Sequence, residues 1–149
     1  MATDDIEYAD RLSRSRARLL PALAVIFLTQ QGSFFFSRIQ DGERLVDHVN
    51  IGAWLLLSVV LLLMLMTGGA WIQRRAVRAL LNDEVSQANR TAAMRVGFIA
   101  SMFGGVFLYV LTFLETVTGR DAIHLLMTIG IGAALLRFGA LERRAHRDG

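Results

Sequence analysis

The 149-residue chain has no cysteine and only one proline. It has no lysine either: its 16 basic residues are all arginine, set against 13 acids for a formal charge of +3. Without cysteine there are no disulfides, no thiolate metal sites and no cysteine nucleophile. Charge of either sign is scarce, at 19% of residues, while hydrophobic residues make up 54%. That balance excludes a disordered chain. The charge is also missing in blocks. Residues 19–37, 49–73 and 96–114 are runs of 19, 25 and 19 residues with no charged side chain. A helix that is apolar all round needs lipid or a large core to bury it. At about 1.5 Å rise per residue, 19 residues reach roughly 28 Å, close to the ~30 Å of bilayer hydrocarbon. Composition therefore excludes an ordinary soluble enzyme and points to an all-α integral membrane protein.

Four spans are expected, over residues 19–37, 49–69, 96–114 and 122–141, behind a polar segment 1–18 and ahead of a tail 142–149. Pro21 sits just inside the first run, where a missing N–H costs least, and marks a helix start. This run is longer than the ~7–15 residues of a signal-peptide core and ends in Phe34-Phe35-Phe36-Ser37-Arg38, so it reads as a retained span. Trp71 suits the interface beyond the second span. The connection 72–95 is the longest polar stretch between spans. In it Asn82, Asp83 and Glu84 read as a helix cap with acids in the first turn, so the third helix is expected to start near Asp83 and run unbroken into the bilayer. The fourth span is the least apolar, with His124 near one end and Arg137 near the other, where a long side chain can snorkel.

Arginine placement sets the orientation. With four spans, Arg11, Arg14, Arg16, Arg18, Arg74, Arg75, Arg78, Arg90, Arg95, Arg137, Arg143, Arg144 and Arg147 share one face, and only Arg38, Arg44 and Arg120 lie on the other. A split of 13 to 3 places both termini in the cytoplasm by the positive-inside rule. The expected location is a bacterial inner membrane, with the lipid bilayer as the first partner.

Small and polar residues mark the helix contacts. Gly97, Ser101, Gly105, Tyr109, Thr112 and Thr116 form one stripe on the third helix, which is expected to face the other spans or a second copy of the chain. A homo-oligomer is therefore expected to use the face of Gly97, Ser101 and Gly105. Thr29, Ser33 and Ser37 repeat the pattern on the first helix, as do Thr128 with Gly132 and Gly130 with Ala134 on the fourth. Gln30 and Gln31 carry amides deep in an apolar run, where a side-chain amide wants an interhelical partner. Asp47, His48, Glu115, Asp121 and His124 fall at the outer face by topology. They lack metal-ligand spacing and read as interface groups, so no metal is expected. A possible polar site is Gln30, Gln31, His48, Tyr109, Glu115 and His124. Nucleophile-elbow, P-loop and His-Glu-x-x-His motifs are all missing, so neither catalytic residues nor cofactors are expected.

The inner face carries Arg74, Arg75 and Arg78 between apolar residues, a pattern that suits anionic headgroups or a protein partner but not nucleic acid. The run 82–93, from Asn82-Asp83-Glu84 through Asn89-Arg90 to Ala93, resembles small uncharacterised four-span bacterial membrane proteins, as do Leu136-Arg137-Phe138 and Leu141-Glu142-Arg143-Arg144. Some members of that group are encoded beside helix-turn-helix regulators of the Cro/repressor type. The resemblance covers the C-terminal half and implies a cytoplasmic protein partner, with no chemistry to carry over. The leading expectation is a non-enzymatic tether using Arg74, Arg75, Arg78, Asp83, Glu84, Asn89 and Arg90. The alternatives are a small dimeric transporter or channel for protons or small solutes, and an accessory subunit of a membrane complex.

Overall fold

The computed structural model describes residues 11, 15, 19–31, 45–68 and 84–145, with side chains from residue 51 onward in the second stretch. Four helices carry these residues, and no strand occurs among them: α1 Leu19–Gln31, α2 Leu45–Thr67, α3 Glu84–Leu111 and α4 Gly119–Ala145. α3 and α4 are each long and apolar enough to cross a membrane, at 28 and 27 residues, or roughly 42 and 40 Å of helix. Residues 51–67 of α2 and the whole of α1 are shorter apolar helices. α3 is continuous from Glu84 into the apolar run. It stops at Leu111, three residues before the sequence lets the charge-free run end.

Local chemistry sets the ends. α2 closes on Gly68, whose φ of 66° lies in the left-handed region that glycine enters at no steric cost. After Leu111 the chain tightens, with Phe113 N–H donating to Val110 O at 3.2 Å and Leu114 N–H to Leu111 O at 2.9 Å. α4 then starts from a capping pair. The Asp121 amide donates to Thr118 Oγ1 at 3.3 Å, and that hydroxyl donates to Asp121 Oδ2 at 2.6 Å.

α4 is the hub, and three other helices pack on it. Half of its apolar window is buried, against 11% for that of α3. Its buried stripe is His124, Thr128, Ile131, Leu135, Phe138 and Glu142. The steps alternate four and three, the seam that keeps facing a partner in a left-handed bundle. Leu20, Ala24, Phe27 and Gln31 repeat those steps on α1, and Trp54, Ser58, Leu61 and Leu65 repeat them on α2.

Glycines on α4 let its neighbours approach. Pro21 covers Gly139 and Leu28 covers Gly132, so closely that a Cβ on either glycine would meet them at 2.7 and 2.9 Å. The two pairs lie seven residues apart on both helices, so α1 runs antiparallel to α4. On the other side a Cβ at Gly97 would sit 2.6 Å from Gly130 O and 2.9 Å from Ala134 Cβ. Ser101 Oγ lies against Gly130 and donates to Leu126 O at 3.3 Å. The face of Gly97, Ser101 and Gly105 is thus used within the chain, against α4. The rest of its stripe leaves that contact. A four-residue step advances about 40° beyond a full turn, so by Tyr109 the row has rotated away. Tyr109 is exposed, and Thr112 and Thr116 lie past the end of the helix and are exposed as well. Thr29 also points outward; α1 turns Gln31 inward instead.

Candidate functional site

α1, α2 and α4 converge on a polar centre. His124 Nε2 is hydrogen-bonded to Gln31 Oε1 across 93 residues of sequence. A carbonyl oxygen only accepts, so this bond forms in the tautomer that carries its proton on Nε2. The face of the imidazole stacks on Trp54, with ring centroids 4.1 Å apart and planes 23° from parallel. All three side chains are buried. One turn further along α2 lies Ser58, and one turn further along α4 lies Thr128, both buried. Gln31 Nε2, Trp54 Nε1, Ser58 Oγ and Thr128 Oγ1 are enclosed with no hydrogen-bond partner among the described residues. Each such orphan costs about 1–3 kcal/mol relative to a satisfied group. Glu115 lies exposed in the α3–α4 turn, and Asp121, one turn before His124 on α4, accepts from the Thr118 hydroxyl. Among the described residues no three His, Cys, Asp or Glu side chains gather as a metal site.

The opposite end of the bundle is polar in another way. α3 and α4 continue side by side past the apolar segments. There Asn89 Nδ2 donates to Glu142 Oε1 at 3.3 Å, with Glu142 only 3% exposed. Glu84 is exposed at the start of α3, as are Arg143 and Arg144 at the end of α4.

The residues singled out from sequence divide accordingly. Gln31 and His124 meet, while Gln30, Tyr109 and Glu115 are exposed and stand apart from them. The side chain of His48 lies outside the described residues, as do Arg74, Arg75, Arg78 and Asp83. Glu84 projects outward, but Asn89 is turned inward onto Glu142 and Arg90 is half-buried. Trp54, Ser58 and Glu142 were not among the expected site residues. For Trp54 and Ser58 the signal was present: they begin the four-three-four row that ends in Leu61 and Leu65. Glu142 continues the equivalent row on α4. No family model, no curated protein and no solved structure matches the chain.

Proposed function

We propose that the chain is a bacterial inner-membrane protein of four spans, with both termini in the cytoplasm, that holds a cytoplasmic protein partner at the membrane without catalysing a reaction. The observation that carries this reading is the paired extension of α3 and α4, fastened by Asn89 and Glu142. Twelve residues of α3, from Glu84 to Arg95, precede its apolar run, which is about 18 Å of helix outside the hydrocarbon. A half-buried inter-helix hydrogen bond at that height ties the two helices of the extension together. Its exposed charges are of both signs, Glu84 on one helix and Arg143 and Arg144 on the other. The resemblance to four-span proteins encoded beside repressor-type regulators agrees with this role, and the arginine split supports the orientation.

The test is made in cells, with the full chain. A protein captured by mild-detergent extraction is identified, and its distribution between membrane and soluble fractions is followed. Removing the chain should release that protein to the soluble fraction, and Glu84→Arg combined with Arg143→Glu and Arg144→Glu should do the same while the bundle still melts as wild type. An unchanged distribution in both strains overturns the tether.

One observation favours a second reading, a small transporter or channel. Gln31, His124 and Trp54 form a hydrogen-bonding centre between helices that are otherwise apolar. Proton or solute flux in liposomes, lost in His124→Ala, would support it. Absence of flux in the wild-type chain would remove it.

A further inference from the structure

The described part of α2 does not close against α3. Between the two, above α4, runs a groove of about 290 Å³. Its walls are Leu62, Leu65 and Met66 of α2 and Met94 and Phe98 of α3, and Met127 of α4 joins its floor. The rest of the floor is Ile131 with Gly97, Gly130 and Ala134, and the little or no side chain at the last three leaves room for the groove. The polar group in it, the Ser101 hydroxyl, is already committed to Leu126 O. With that proton used, no lining side chain has a free donor, and the groove suits a flexible apolar chain.

Position and charge identify that chain. On α3 the groove extends from Met94 to Ser101, about 10 Å of helix. It begins level with Arg95, the last charged residue before the apolar run of α3. Arg95 is exposed and forms no ion pair with any described residue. It follows Met94 in the chain and precedes Phe98 by about one turn, so it lies at the height of the groove's end without lining it. An exposed guanidinium with no ion pair among the described residues, at the polar end of an apolar groove, complements a phosphate whose acyl chain lies along the groove. A helix of a second copy would answer this cation only by bringing one of its own acids to the end of the groove, whereas a headgroup phosphate lies at that height already.

We propose that the groove between α2 and α3 holds one acyl chain of an anionic phospholipid, with Arg95 on its phosphate. This rests on the reading of the chain as membrane-spanning, which flotation with liposomes checks separately on the same preparation. The full chain is reconstituted with equal amounts of dioleoyl phosphatidylglycerol and dioleoyl phosphatidylcholine, extracted in mild detergent, and analysed for retained lipid by native mass spectrometry. Wild type should retain one phosphatidylglycerol per chain, at least five-fold over phosphatidylcholine. Leu62→Trp fills the groove from a partly exposed wall position and should lose at least four-fifths of the retained lipid. Met66→Trp does the same from the neighbouring position should the first variant fold poorly. Arg95→Gln should keep a bound lipid but bring the two headgroups to parity. Equal retention of the two lipids by wild type, or full retention in a tryptophan variant that melts as wild type, overturns the proposal. A chain that fails to float overturns the membrane reading instead.

Discussion

His124 is held from two sides, and each contact has its own consequence. Truncation by His124→Ala removes both the Gln31 bond and the Trp54 stack, and leaves the Gln31 amide wholly unpaired in the core. Interhelical hydrogen bonds within membranes are worth about 0.6–2 kcal/mol, and an aromatic stack adds roughly 0.5–1.5. A loss of about 1–3 kcal/mol is expected from unfolding in mixed micelles. Thr128→Val and Ser58→Ala should behave in the opposite way. Their hydroxyls are buried without partners, so removal is expected to be neutral or stabilising by up to about 1 kcal/mol. If both instead cost more than His124→Ala, the hydroxyls are satisfied in the membrane and the polar centre is larger than its two contacts. From sequence, Gln31 and His124 were each suspect as polar groups in apolar runs. Their meeting could not be read, because nothing local links residues 93 apart, and Gln30 carries the same side chain on the wrong side of α1.

At the scale of the helix, glycine chemistry divides by position. Gly97 faces Gly130 O so closely that any side chain must move backbone, which has no cheap alternative place. Gly97→Ala is expected to cost at least about 2 kcal/mol or to lower expression, since overpacking a tight contact costs typically about 1–3 kcal/mol before backbone shifts are added. Around Gly52 on α2 the space that a Cβ would enter is open, with no atom within 4 Å of it. Gly52→Ala should therefore stabilise, by about 0.5–1 kcal/mol from helix propensity. Comparison of the two melting curves tests the α3–α4 contact directly. At the turn, Thr118→Ala removes the capping hydroxyl of α4 and should cost about 1 kcal/mol, with most of it recovered in Thr118→Ser. The small-residue row on α3 was visible in the sequence, but only its first half packs on α4. A period of four outpaces a helix of about 3.6 residues per turn, so the row turns away from α4 after three positions.

Among the described residues burial is uneven, with large apolar side chains open on one helix and enclosed on others. Phe98, Phe103, Phe107 and Phe113 of the α3 side are 65–74% exposed, while Phe27 and Phe138 at the α1–α4 contact are completely buried. In lipid the first group loses little on truncation, because hydrocarbon replaces hydrocarbon, whereas the second leaves a cavity. Phe138→Ala should therefore cost about 3–5 kcal/mol and Phe103→Ala less than about 1 kcal/mol when unfolding is followed in lipid micelles. Comparable costs would mean that protein, not lipid, covers α3. Orientation is tested at the same scale. Reporter fusions at the two ends should both report the cytoplasm, and ends in different compartments would overturn the proposed arrangement of four spans.

Helix class and approximate helix positions were legible from the residue order alone, because an unbroken apolar run and its flanking polar residues are local properties of the chain. The apolar character of α3 and α4 is equally local. Which helix lies at the middle was decided only in three dimensions. α4 carries the most polar of the apolar runs and yet is the best buried, since its Gly130, Gly132 and Gly139 admit α3 and α1 closely and its polar side chains find room only among other helices. The groove beside Arg95 and the bond between Asn89 and Glu142 have the same origin. Both depend on the rotation of one helix against another, which no single run of residues encodes.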